Sequence, residues 1–171
     1  MSNVNRHVDR NASAILVDIV SGVTVEQGDL MFLDSADDLR NDGDSTASNC
    51  AYPFEYFRLS GSSLTLNKEG IQDYFLGISL DDVDGIDNDV TNKITVGTAG
   101  KYDFDLKPAK TVYPTNMFGA AGTTSASNLY NQKVMKVTDK DYALGYFTER
   151  KKHALTAEAV IRPNITGIKI V

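Results

Sequence analysis

Apolar and polar residues alternate with a period of two through much of this chain, and the longest clean example runs from Asn92 to Leu106. Ile94, Val96 and Thr98 alternate with Thr95 and Gly97; beyond Ala99-Gly100, Tyr102, Phe104 and Leu106 alternate with Lys101, Asp103 and Asp105. Successive side chains on a strand point to opposite faces, so this rhythm describes strands with one apolar and one wet face. Read around the Gly-containing break, it predicts an antiparallel hairpin turning at Ala99-Gly100.

The rhythm recurs elsewhere. Ala14 to Val20 places Ile15, Val17 and Ile19 on one face, and Asp29 to Asp34 supplies a second strand after a bend from Gly22 to Gly28. Tyr52 to Leu59 concentrates aromatics in a short edge strand behind Pro53. In Tyr74 to Asp81, the residues Tyr74, Leu76, Ile78 and Leu80 fall together. Three late strands are expected at Lys133 to Thr138, Tyr142 to Glu149 and Thr156 to Arg162, with Asp139-Lys140-Asp141 as a turn between the first two. Leu64 to Asp73 fits a helical turn or a hairpin, and the ITGIKIV tail an edge strand or an extended arm. The expected core is Ile15, Val17, Ile19, Leu30, Phe32, Leu76, Ile78, Leu80, Ile94, Val96, Tyr102, Phe104, Val134, Leu144, Tyr146, Val160 and Ile161.

Other segments lack the rhythm. Met1 to Ser13 is polar apart from Val4 and Val8 and reads as an N-terminal arm. Ser35 to Asn49 and Asp82 to Asn92 are acidic loops by composition. Lys107 to Tyr130 is the least regular stretch, punctuated by Pro108 and Pro114, with Ser125 as the cap of one helical turn. Short strands at regular spacing with little helix predict an all-β fold, a small antiparallel β-barrel or β-sandwich. Residues 1–13 are then an extended arm and residues 14–171 a single β-rich domain with irregular loops.

The composition sets limits on function. The 171 residues carry a formal net charge of −6, which repels nucleic acid, and Arg150-Lys151-Lys152 is too short a basic cluster to reverse that. No stretch approaches the roughly eighteen apolar residues that span a bilayer, and the polar start lacks a signal peptide's design. The single cysteine, Cys50, excludes an intrachain disulfide. Neither acidic run meets the calcium-loop pattern: counting back from Gly85 puts Leu80 first, and around Gly43 the third position is Arg40. His7 and His153 have no sequence-visible nucleophile or metal partner, and no nucleophile elbow, zinc spacing or phosphate loop occurs. The reading is a non-enzymatic protein without cofactor or metal, working through its surfaces. Loop aromatics and their neighbours, Tyr52, Phe54, Tyr56, Tyr113, Met117 and Phe118, are the candidate interface residues, because aromatics are enriched where subunits meet.

Three segments, VTVEQGDLMFLDS (Val23 to Ser35), FLGISLDDVDG (Phe75 to Gly85) and ITVGTAGKYDFDL (Ile94 to Leu106), resemble the capsid decoration, or cement, proteins of tailed bacteriophages; VMKVTDKDYALGYFTE (Val134 to Glu149) is compatible with that family's closing strands. The resemblance spans Val23 to Glu149. The long loop from Ser35 to Asn49 and the aromatic patch after it exceed what the compact members have. The resemblance implies a β-barrel or β-tulip body, a homotrimer on the exterior of the virion, and an arm that grips the major capsid protein. On this chain the arm's contact candidates are Val4, His7, Val8 and Arg10. Other readings are a head-fibre base, neck or tail-tube component, a carbohydrate-binding β-module, and, last, a hydrolase.

Overall fold

A single strand of 21 residues, β5 (Asn92–Val112), organises the molecule. The structure is a computed structural model describing residues 13–59, 71–84, 92–122 and 128–161. Around β5 lie β1 (Ser13–Ile19), β2 (Leu30–Leu33), β3 (Ala51–Pro53), β4 (Phe75–Ser79), β6 (Met117–Gly122), β7 (Leu129–Val137), β8 (Gly145–Phe147) and β9 (Lys151–Ile161). The described residues form an all-β fold: one hydrogen-bonded sheet of nine strands, part of it closed into a five-stranded barrel.

The first half of β5 and the second half serve different lobes. Residues 92–99 pair with β1, Gly97 and Val96 pair with β4, and β4 continues through β2 to β3. Among the described residues this five-stranded sheet is open, with β1 and β3 as its edges. Residues 100–112 pair with β9, and the ladder continues through β8, β6 and β7 back to β5, closing the barrel. Every pairing is antiparallel except β5 with β7, where Asp105 faces Lys133 and Leu106 faces Val134 in parallel.

The expected hairpin at Ala99-Gly100 is therefore replaced by an uninterrupted strand. Parity explains why. A two-residue turn there would set Thr98 opposite Lys101 and carry Lys101, Asp103 and Asp105 onto the face of Ile94 and Val96. Instead the even positions stay inside throughout: Ile94, Val96, Tyr102 and Phe104 are fully buried and Thr98 and Leu106 nearly so. Gly100 marks the hand-over between lobes, at φ 149°. Where β4 crosses β5 the backbones nearly touch: a Cβ on Gly77 (φ 151°) would overlap the carbonyl of Gly97, and one on Gly97 would overlap the Tyr102 hydroxyl.

The core runs through both lobes. In β1, Ile19 is buried and Ile15 and Val17 pack against the core, while Leu16 points out. β2 and β4 are covered on both faces, which is why LMFL and FLGIS read as apolar runs. Barrel strands send Tyr102, Phe104, Phe118, Val134, Phe147, Ala157, Ala159 and Ile161 inward. Phe104, Phe118 and Phe147 form a ring chain, with centroids 5.0 and 5.6 Å apart. Burying a side chain of this size contributes roughly 1.5–3 kcal/mol.

Several expectations are corrected. Much of Lys107 to Tyr130 is strand, as the end of β5, all of β6 and the start of β7; the helical turn from Ser125 falls partly on residues 123–127, outside the described residues, and Leu129 and Tyr130 are strand. Tyr146 is 40% exposed rather than core. β8 is three residues long, and with Gly145 and Phe147 facing inward the residue between them must face out. Val160, beside Tyr146 on β9, is half-buried on the same outer side. Asp139 to Asp141 does turn the chain, through a 3-10 turn at Lys140–Tyr142. Residues 71–74 are helical, while the rest of Leu64 to Asp73, the ITGIKIV tail and the arm lie outside the described residues.

Candidate functional site

The acidic loop between β2 and β3 is wound around one buried cation. Arg40 is 6% exposed. Its Nη1 donates to Asp42 Oδ2 at 2.8 Å and to the Tyr52 hydroxyl at 3.1 Å, and its Nη2 donates to the Thr46 carbonyl at 3.2 Å. Asp44 lies 2.7 Å from Nη2. Arg40 Nε sits 3.0 Å from the buried Asp34 Oδ2, an ion pair without hydrogen-bond alignment. The guanidinium also lies 5.0 Å from the Tyr52 ring centre. Burial opposes its charge, but the hydrogen bond to Asp44 and the fields of Tyr52, Asp42 and Asp34 outweigh that and hold its pKa above the ordinary value. Hydrogen bonds from Thr46 and then Arg40 hold Asp44 well below the usual carboxylate range. Three acids of this run thus converge on Arg40.

A second acidic cluster lies at the seam between lobes. Thr24, Glu26 and Asp29 precede β2, Glu55 sits in the 3-10 turn Phe54–Tyr56, and Asn131 and Gln132 belong to β7; together they line a cavity of about 270 Å³. Asp29 is 2% exposed. Its Oδ2 accepts from the Glu26 amide at 2.9 Å and its Oδ1 from Gln132 Nε2 at 3.1 Å, and the same Nε2 donates to Glu26 Oε2 at 3.3 Å. Asn131 Oδ1 accepts from the Glu55 amide at 2.7 Å. Burial, aided by the nearby charges of Glu26 and Glu55 and only partly offset by the hydrogen bonds, raises the Asp29 pKa to about 6. A buried acid shifted this way beside a cavity is a recurrent mark of a working group. Sequence reading missed it because the Glu26–Asp29 pair, Glu55 and Gln132 are distant from one another along the chain.

The outer surface of the barrel carries an apolar row. Val137 faces Met117, Met117 faces Tyr146, Tyr146 faces Val160, and Val160 faces Lys101. Directly opposed residues share a face, so the apolar row spans β7, β6, β8 and β9 and ends against Lys101 on β5. On the other lobe, Leu16 projects from β1 at 63% exposure. Among the described residues β1 pairs on one edge only, with β5. Ser13 lies opposite Ala99, and Ile161 opposite Gly100. The chain therefore enters β1 and leaves β9 at neighbouring positions of β5.

The sequence-based candidates fall into distinct places. Tyr52, Phe54 and Phe118 are core residues at 1%, 0% and 0% exposure, so they offer no surface and are corrected as interface residues. Phe54 packs against Phe32, Phe57 and Phe75. Tyr56 is half-buried against Tyr52. Tyr113 is 43% exposed with the Arg150 guanidinium 5.4 Å from its ring centre, and Met117 lies in the apolar row. Val4, His7, Val8 and Arg10 lie outside the described residues. Cys50 is half-buried with its thiol pushed up by burial. His153 is exposed on β9. Among the described residues no three His, Cys, Asp or Glu side chains group as a metal site, and no helix is long and apolar enough to cross a membrane. A scan against protein-family models finds no match, and a search of curated proteins finds none either.

Proposed function

We propose that the protein is a structural virion component that decorates and stabilises a phage capsid from its exterior by bridging major capsid protein subunits. The observation that carries this reading is the meeting of three features at one place: the edge of β1 that no other described strand pairs with, the exposed Leu16, and the points where the chain enters β1 and leaves β9. An open strand edge accepts a partner strand through main-chain hydrogen bonds, and an arm rooted beside it reaches across a subunit seam. The apolar row on the barrel supplies the contact between copies in a homotrimer, and symmetry multiplies weak contacts by effective concentration. Aromatic sugar platforms find less support, since Tyr52, Phe54 and Phe118 are buried.

The test is cosedimentation of the full chain with purified expanded capsids. The expected result is saturable binding that is lost when residues 2–12 are deleted, a truncation that leaves β1 intact from Ser13. Full occupancy by the truncated chain would overturn the arm assignment, and failure of the full chain to bind capsids would overturn the function.

A further inference from the structure

The open sheet and the closed barrel meet along a seam that polar side chains of β7 bridge. Gln132 reaches Glu26 and Asp29 from one amide nitrogen, and Asn131 accepts from the Glu55 backbone. An amide that serves two carboxylates holds them as close neighbours, with Glu55 also lining the cavity. Glu26 and Glu55 are exposed and keep their hydration, while their charges stand beside a buried Asp29. Only Asp29 is deeply buried, so lost hydration and repulsion fall hardest on it.

We propose that Asp29, Glu26 and Gln132 form an acid-set clasp between the lobes: the seam tightens when Asp29 takes up a proton and loosens when Asp29 gives it back. Protonation removes the cost of burying the Asp29 charge and its repulsion from Glu26 and Glu55, and this outweighs the weakening of the hydrogen bonds from the Glu26 amide and Gln132. The charged groups facing Asp29 are Glu26 from its own loop and Glu55 from the 3-10 turn. β7 adds the neutral Asn131 and Gln132, and β4 adds the neutral Ser79, whose amide donates to the Asp29 carbonyl. Asp82, just past β4, is engaged by the Gln27 amide.

The sign follows from linkage. Asp29 holds its proton to about pH 6 in the folded protein, against 3.8 for an ordinary aspartate. Between those values the folded state binds more protons than the unfolded one, so stability is greatest at the acidic end and is lost as the pH rises through about 6. The folding equilibrium constant changes by up to tenfold per pH unit, roughly a hundredfold over the window.

Carboxyl NMR titration of the full chain, with amide exchange along residues 24–29 and 131–132, tests the clasp. The expected result is an Asp29 midpoint near 6, with those amides exchanging about tenfold more slowly at pH 5 than at pH 7.5 after correction for intrinsic rates. Asp29→Asn should abolish the local pH dependence and keep the slow exchange at pH 7.5. A midpoint near 4 in the wild-type chain would overturn the proposal even if the variant failed to fold. Unchanged pH dependence in Asp29→Asn, or exchange that follows global stability alone, would overturn it too.

Discussion

Arg40 is the clearest case of a residue whose role emerges only from folding. In the sequence it spoils a calcium pattern by occupying the third position; in the structure it is the cation around which the loop is built. Its partners are two, four and six residues away along the chain, with Tyr52 from β3 beneath it. Composition showed a loop and an excess of acid, but no periodicity encodes convergence on a point. Removing one member of a buried ion pair leaves the other charge stranded, at a cost of about 3–5 kcal/mol. Arg40→Met is therefore expected to lower the unfolding free energy by about that amount in urea titration, because Asp34 stays 1% exposed with its main cation gone. Asp34→Asn in the same background should restore part of the loss. Aromatics mislead at this scale for a similar reason: Phe54 and Phe118 sit near turns in the sequence, yet their rings fill the core.

At the scale of elements, the strands were readable wherever one face is wet. β1 and β5 as far as Leu106 show their alternation directly, whereas β9 alternates only from Ala157 onward and β5 beyond Leu106 does not; β2 shows the apolar run of a covered strand, and the alternation expected in Tyr74 to Asp81 gives way to a β4 buried on both faces. The hairpin expected at Ala99-Gly100 had a visible counter-signal, since the apolar positions keep even numbers on both sides of Gly100. Glycine was read as a turn, while its role lies in the lobe hand-over at Gly100 and, at Gly97, in the close crossing of β4. Substituting Gly97 by Ala forces the Tyr102 side chain to move, and overpacking of this kind costs about 1–3 kcal/mol. Denaturant titration of Gly97→Ala should show that loss, whereas Gly122→Ala, with nothing near its added methyl, should fall within about 0.5 kcal/mol of wild type. β6 was missed because MFGAAG has small residues where a strand usually shows branched ones.

The whole molecule is electrically lopsided. Among the described residues, 13–99 hold thirteen Asp and Glu against three Lys and Arg, whereas 100–161 hold six against nine. The overall −6 conceals this division, which becomes spatial because β5 separates the lobes near Gly100. Partners that meet the open sheet should be basic and their binding salt-sensitive. Self-contact through the barrel's apolar row should depend on Tyr146 instead. Tyr146→Asp is expected to shift sedimentation toward the monomer while changing the unfolding free energy by no more than about 0.5 kcal/mol. A trimer that survives the substitution would exclude the row as its interface. Neither the row nor the seam cavity was legible beforehand, because each joins residues whose proximity depends on barrel closure.

Ser13 and Ile161 sit across from consecutive residues of β5, so the ends of the described body are at most about 14 Å apart. A short glycine-rich bridge would span that gap, and the exposed bend at Pro114-Thr115 offers a place to open new ends. Such a circularly permuted chain should fold with native-like thermal unfolding. It would also move any fused cargo from the β1 edge to the far end of β5, converting an accident of connectivity into a choice of where passengers are displayed.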